Sequence, residues 1–209
     1  IGTLAVFKRQ ETAVERHSIT DIEGEVARFQ AARGKAIEQL AQLYEKAVVD
    51  VGRDNAAIFE IHQMMLEDLD YIESIEGIIR TQEVNAEYAV QATAENFAEI
   101  FSSMEDEYMQ ARAADVKDIS RNVLACLGFG SDAMESASEK FVLVADDLVP
   151  SETVQLDKSK VQGFVTAGGS VNSHTAILAR TMGIPAVVCT GVSIGAEHDG
   201  KLIAVDGYA

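Results

Sequence analysis

Apolar residues recur at helical spacing from residue 18 to residue 128, a tract that holds no proline. Ile22, Val26, Phe29, Ile37, Leu40 and Leu43 form one stripe of a first helix. Thr20 with Glu23 predicts a capping box at its start, with Ile19 as the staple residue. A second helix is expected from Asp54 onward, carrying Ile58, Ile61, Met65 and Ile72. A third begins near Asn85, with Tyr88, Ala92, Phe97 and Phe101. A fourth runs from Asp106 to Leu127 through Met109, Val116, Ile119 and Val123, and Gly128 ends it. Amphipathic helices joined by short loops predict an antiparallel bundle.

After Gly130 the pattern changes. Residues 141–145, 163–166, 186–189 and 202–205 are short runs rich in β-branched or aromatic residues, bounded by turn residues as buried strands are. Residues 3–7 form a fifth such run at the other end of the chain. Both prolines, Pro150 and Pro185, and most glycines fall in the last third. An N-terminal strand can pair with strands beyond residue 140 if the bundle is an insertion. The expected fold is therefore α+β or α/β: a discontinuous domain of residues 1–17 and 132–209, with a helical bundle inserted at 18–131.

At 209 residues the chain is long enough for one large or two small cores. No apolar run is long enough to cross a bilayer, so no membrane insertion is expected. Lys8, Arg9 and Glu11 interrupt any signal-peptide pattern, and the start at Ile1 is read as a start inside a longer protein. Cys126 and Cys189 form no Cys-x-x-Cys pair, which fits a reducing cytoplasm. The histidines and cysteines lack zinc-ligand spacing, so no metal site is expected in this chain. The net charge of −17 argues against nucleic acid and for a basic partner. Residues 1–128 carry 24 acidic and 12 basic side chains, so −12 of that charge lies on the helical side.

The most informative stretch is Gly168-Gly169-Ser170-Val171-Asn172-Ser173-His174-Thr175-Ala176-Ile177-Leu178-Ala179-Arg180. Ser173 is placed to N-cap a helix that Gly183 and Pro185 terminate. A helix N-terminus offers unpaired N–H groups and a positive dipole end, which bind phosphate. His174 there combines a nucleophilic ring nitrogen with an anion cradle, and the dipole disfavours the imidazolium form. By position alone, a capping or solvent-facing histidine fits as well.

The longer run does more. Gly-Gly-x-x-x-Ser-His-Thr-Ala-Ile-Leu-Ala-Arg, followed by Gly183-Ile184-Pro185-Ala186-Val187-Val188, resembles the phosphohistidine loop of the PEP-utilising enzymes. These include Enzyme I of the sugar phosphotransferase system, PEP synthase and pyruvate phosphate dikinase. Residues 56–68 and 106–119 look like bundle helices of Enzyme I. Ala-Asp-Asp-Leu-Val-Pro-Ser-Glu-Thr, ending at Thr153, resembles its segment leading into the phosphohistidine domain. The resemblance covers essentially the whole chain, in order.

It implies a phosphoryl relay from phosphoenolpyruvate through a phosphohistidine to the phosphocarrier HPr. His174 matches the acceptor and Thr153 the hydroxyl residue that orients it. Gly169, Ser173, Thr175 and Arg180 match the phosphate cradle. His62, Met64, Met65, Glu67, Asp68, Asp70 and Arg112 match the HPr dock. PEP and Mg²⁺ would act on a domain beyond this fragment, in a cytoplasmic homodimer. The alternative is the swivelling domain of another PEP-utilising enzyme or of the nitrogen-related Enzyme I paralogue. One departure stands out: the family loop reads close to Gly-Gly-Arg-Thr-Ser-His. Here Ser170, Val171 and Asn172 replace the second glycine, the arginine and the threonine. The loop lacks a nearby positive charge, and Arg180 stands only on the following helix.

Overall fold

The computed structural model describes residues 1–7, 13–129, 140–157, 159–169, 174–191, 195 and 198–206, without the side chains of Glu107, His174 and Thr175. The chain divides into two compact units: Ile1–Gln10, Glu45–Ile58 and Asp132–Ala209 in one, Glu11–Tyr44 and Phe59–Ser131 in the other. The boundaries differ from those expected. Residues 45–58 group with the sheet, and residues 11–17 with the bundle.

The first unit is built on a five-stranded sheet in the order β4-β3-β2-β1-β5. Its strands are β1 (Gly2–Phe7), β2 (Phe141–Ala145), β3 (Val161–Thr166), β4 (Ala186–Val187) and β5 (Leu202–Ile203). β1 runs parallel to β2, with Thr3 opposite Phe141 and Phe7 opposite Ala145, and antiparallel to β5. The N-terminal strand thus pairs across the inserted bundle. All five residues of β2 are buried, as expected of a central parallel strand covered on both faces. Phe141, Leu143 and Ala145 point to a core shared with Leu148, Leu156, Phe164, Ala179 and Ile184. Burying each of the larger side chains contributes roughly 1.5–3 kcal/mol.

The second unit is helical. The chain's first five helices are α1 (Ile22–Val51), α2 (Arg53–Glu67), α3 (Leu69–Gln82), α4 (Ala86–Ser102) and α5 (Glu107–Cys126). Two sequence expectations need correction. The cap of α1 is Asp21, whose carboxylate accepts the Gly24 N–H at 2.9 Å, so the Thr20–Glu23 box does not form. The cause lies upstream: Ile19 N–H donates to Glu83 and Asn85 N–H to His17, holding the approach extended until residue 20. The single helix expected from Asp54 through Ile72 is two helices. Asp68 adopts an extended backbone and its carboxylate accepts the N–H groups of Asp70 and Tyr71, starting α3 afresh.

Arg28 fastens α1 to α4. Its guanidinium bonds Glu25 at 2.6 Å and Glu87 at 2.7 Å, and Glu25 also accepts the Ala86 N–H. Among the described residues, no helix is long and apolar enough to cross a membrane.

Candidate functional site

Two sites emerge, one in each unit. In the sheet unit, α6 (Pro150–Gln155) follows β2 and α7 (His174–Met182) follows β3. The carboxyl ends of parallel strands are where α/β folds place their chemistry, and His174 opens α7 eight residues along the chain after β3 ends at Thr166. The approach is tightly fixed. Gly168 N–H donates to Asp146 at 2.7 Å, Cys189 N–H donates to Gly168 at 2.9 Å, and Thr166 Oγ1 donates to Gly168 at 2.8 Å. Gly169 has φ +83°, and a Cβ there would lie 3.2 Å from Asp147 Oδ1. Left-handed backbone and close approach together require glycine.

Ser173 and the side chains of His174 and Thr175 lie outside the described residues, so their mutual geometry does too. Thr153 is completely buried on α6, and its hydroxyl donates to the Val149 carbonyl at 3.0 Å. Gly183, at φ +68°, closes α7, with Ile184 N–H donating to Ala179 at 3.0 Å. Arg180 stands in the last turn of α7, six residues and a rise of about 9 Å from His174. A cation there complements the negative end of the helix.

In the bundle unit, the sequence-predicted docking residues largely converge. A groove of about 440 Å³ is lined by Met64, Met65, Asp68, Asp70 and Arg112, with Ile61, Tyr71, Phe97, Phe101, Met109, Val116 and Ile119. Met64 is 69% exposed, and Leu69 and Tyr108 are exposed as well. Glu67 is exposed at the end of α2 but is not among the lining residues. Arg112 lies over the Tyr108 ring at 4.8 Å and also hydrogen-bonds that hydroxyl. Beneath the groove, burial pushes the Tyr71 phenol well above its ordinary range, and the 2.8 Å bond to Ser120 only partly offsets it.

His62 does not belong to the surface. It is 0% exposed, with Nε2 3.3 Å from Asp115 and Nδ1 3.8 Å from Asp118, so its expected role as a direct docking contact is corrected. Sequence reasoning missed Tyr108 and Asp115, although both stand at helical spacing from Arg112. It also missed the aromatic floor, because Phe97 and Phe101 read as ordinary core. Among the described residues, no cluster of three or more His, Cys, Asp or Glu side chains could hold a metal ion.

The chain matches the family profile of PEP-utilising enzyme, N-terminal, over residues 1–112, and that of PEP-utilising enzyme, mobile domain, over residues 137–209. It is 42% identical over 198 residues to the phosphoenolpyruvate-protein phosphotransferase of Bacillus sp. (strain S), covering 94% of this chain and 34% of that protein. With the Bacillus subtilis (strain 168) protein of the same name it shares 39% over 202 residues, covering 96% and 35%. The chain thus spans only about a third of the length of these curated relatives. An NMR solution structure of Enzyme I superposes with a TM-score of 0.76 at 34% identity, covering 99% of this chain and 85% of that one. The N-terminal domain of Enzyme 1 - Nitrogen gives 0.69 at 27% identity, covering 99% and 84%. The profile matched over more than half the chain, and the Enzyme I structure matched nearly end to end, establish that this chain belongs to the PEP-utilising enzymes and corresponds to the N-terminal region of Enzyme I.

Proposed function

We propose that this chain carries a phosphoryl group on His174 and passes it to the phosphocarrier HPr, which docks on the bundle groove. The observation that carries the reading is the position of His174: first residue of α7, the helix that follows a glycine turn fastened to Asp146 after β2. The positive dipole end of that helix attracts the phosphoryl group. Thr153 supports a division of labour between the ring nitrogens. Its one hydroxyl proton goes to Val149, so its oxygen is left to accept. A His174 Nδ1–H donated to that oxygen keeps Nε2 unprotonated and nucleophilic. Nε2 then attacks phosphorus as the donor's P–O bond breaks, and the new N–P bond breaks when the carrier's nucleophile attacks. Catalysis is mostly positioning and electrostatics, as in other phosphoryl transfers. In the whole protein PEP and Mg²⁺ act on a domain outside this chain, within a cytoplasmic homodimer.

Phosphorylated HPr tests the reading. The chain should take up label that maps to His174, and His174→Gln should fold normally yet stay unlabelled. Label on that variant, or at His17, His62 or His198, overturns the assignment.

A further inference from the structure

Asp115 links the bundle interior to the groove rim. Its Oδ1 lies 3.3 Å from Nε2 of His62 on α2. Its Oδ2 lies 3.5 Å from Nη1 of Arg112, three residues earlier on α5. His62 is wholly buried, held edge-on against Phe59, while the Arg112 side chain is 15% exposed. Arg112 also reaches Met65 Sδ at 3.9 Å and covers the Tyr108 ring. A line of contacts therefore runs outward from His62 through Asp115 to Arg112 and Tyr108.

We propose that His62 is a positioning residue which, through Asp115, sets where the Arg112 guanidinium sits on the groove rim. Only the consequence for HPr rests on the docking reading above.

A carboxylate with both oxygens available takes a guanidinium in a paired, two-bond arrangement. At Asp115 the imidazole faces Oδ1, so Arg112 meets Oδ2 alone, at a long distance, and its other donors turn to Met65 and Tyr108. Without the imidazole, which packs beside Oδ1 at 3.3 Å without a hydrogen bond, that side of the carboxylate opens in a buried site. The nearest remedy is a second guanidinium N–H, which draws Arg112 inward and off the Tyr108 ring. That movement matters because Arg112 is the one cation among the residues described as lining the groove. Its placement decides where an acidic or phosphoryl group of a docked carrier is met.

The test uses the full chain with His62→Leu, His62→Gln, Asp115→Asn and Arg112→Ala. The first readout is the Arg112 Nε–Hε resonance of the free protein, assigned by its loss in Arg112→Ala. It should move in His62→Leu and in Asp115→Asn, and return near its wild-type position in His62→Gln, whose amide can donate to Asp115. The second is HPr affinity in a double-mutant cycle. His62→Leu should weaken binding about fivefold in the wild-type background and under about twofold in the Arg112→Ala background. An unmoved resonance in His62→Leu, or equal affinity losses in both backgrounds, overturns the proposal. Should His62→Leu fail to fold, Asp115→Asn carries both comparisons. If the wild-type chain binds no HPr, the docking reading falls, and the resonance still decides the positioning role.

Discussion

Asp68 and Asp70 show how one residue can serve two scales. Both line the groove, but the Asp68 carboxylate accepts the first N–H groups of α3 at 2.9 and 3.2 Å. Its charge faces a prospective basic partner while its oxygen holds a helix start. Substitution separates the roles, because asparagine caps nearly as well as aspartate and alanine does not. Asp68→Asn and Asp70→Asn should melt close to wild type and each slow HPr association at low salt. Asp68→Ala should slow it similarly and also lower stability by about 1 kcal/mol. Thermal melts with stopped-flow association resolve the pattern. An Asp68→Ala protein that melts like wild type would mean the cap contributes nothing.

Between elements, the Arg28 bridge of α1 to α4 gives the bundle a pH dependence. The Arg28 hydrogen bond holds the Glu25 carboxyl below its ordinary range. At Glu87 burial pushes upward, but hydrogen bonds from Arg28, Asn85 and its own backbone more than offset it. Both carboxyls are thus depressed in the folded protein, so their stabilisation is present above the unfolded value near 4.5 and is lost as pH falls through the depressed values. Melts from pH 7 to pH 3 should show wild type losing stability more steeply below pH 4.5 than Arg28→Ala. Parallel curves for the two would remove the bridge from the account. Elements of this kind were partly legible in the sequence. Short runs of β-branched and aromatic residues between turn residues marked the strands, and a period of 3.6, the trace of burial on one face, marked four helical tracts. The break at Asp68 left no such trace, since the apolar positions Met65 and Ile72 continue across it. Thr20 lost its cap to Asp21 through the Ser18–Val84 bridge, a long-range contact that local spacing does not encode. The docking stretch was legible as a surface through its methionines and acids. The burial of His62 was not, because its carboxylate neighbours come from another helix.

For the molecule as a whole, the uneven charge makes a kinetic prediction. Of the net −17, residues 1–128 carry −12, and the groove with Asp68 and Asp70 lies in that part of the chain. Groups of one sign around an apolar groove raise the local concentration of an oppositely charged partner and speed its encounter. Once the partner is seated, the apolar contacts of Met64, Met65 and the aromatic floor govern how long it stays. Salt acts unequally on these two stages. The Debye length shrinks from about 30 Å at 0.01 M to about 8 Å at physiological ionic strength, which curtails steering but hardly touches buried apolar contact. The association rate with HPr should therefore fall by about tenfold or more over that range, with the dissociation rate changing far less. Met65→Ala should behave in the opposite sense, raising dissociation while leaving the salt slope of association intact. Since Met65 is only partly exposed, a parallel melt separates lost contact from lost core packing. Stopped-flow mixing of the two proteins across a salt series measures both rates directly. An association rate indifferent to salt would mean that the acidic surface does not guide the partner to the groove.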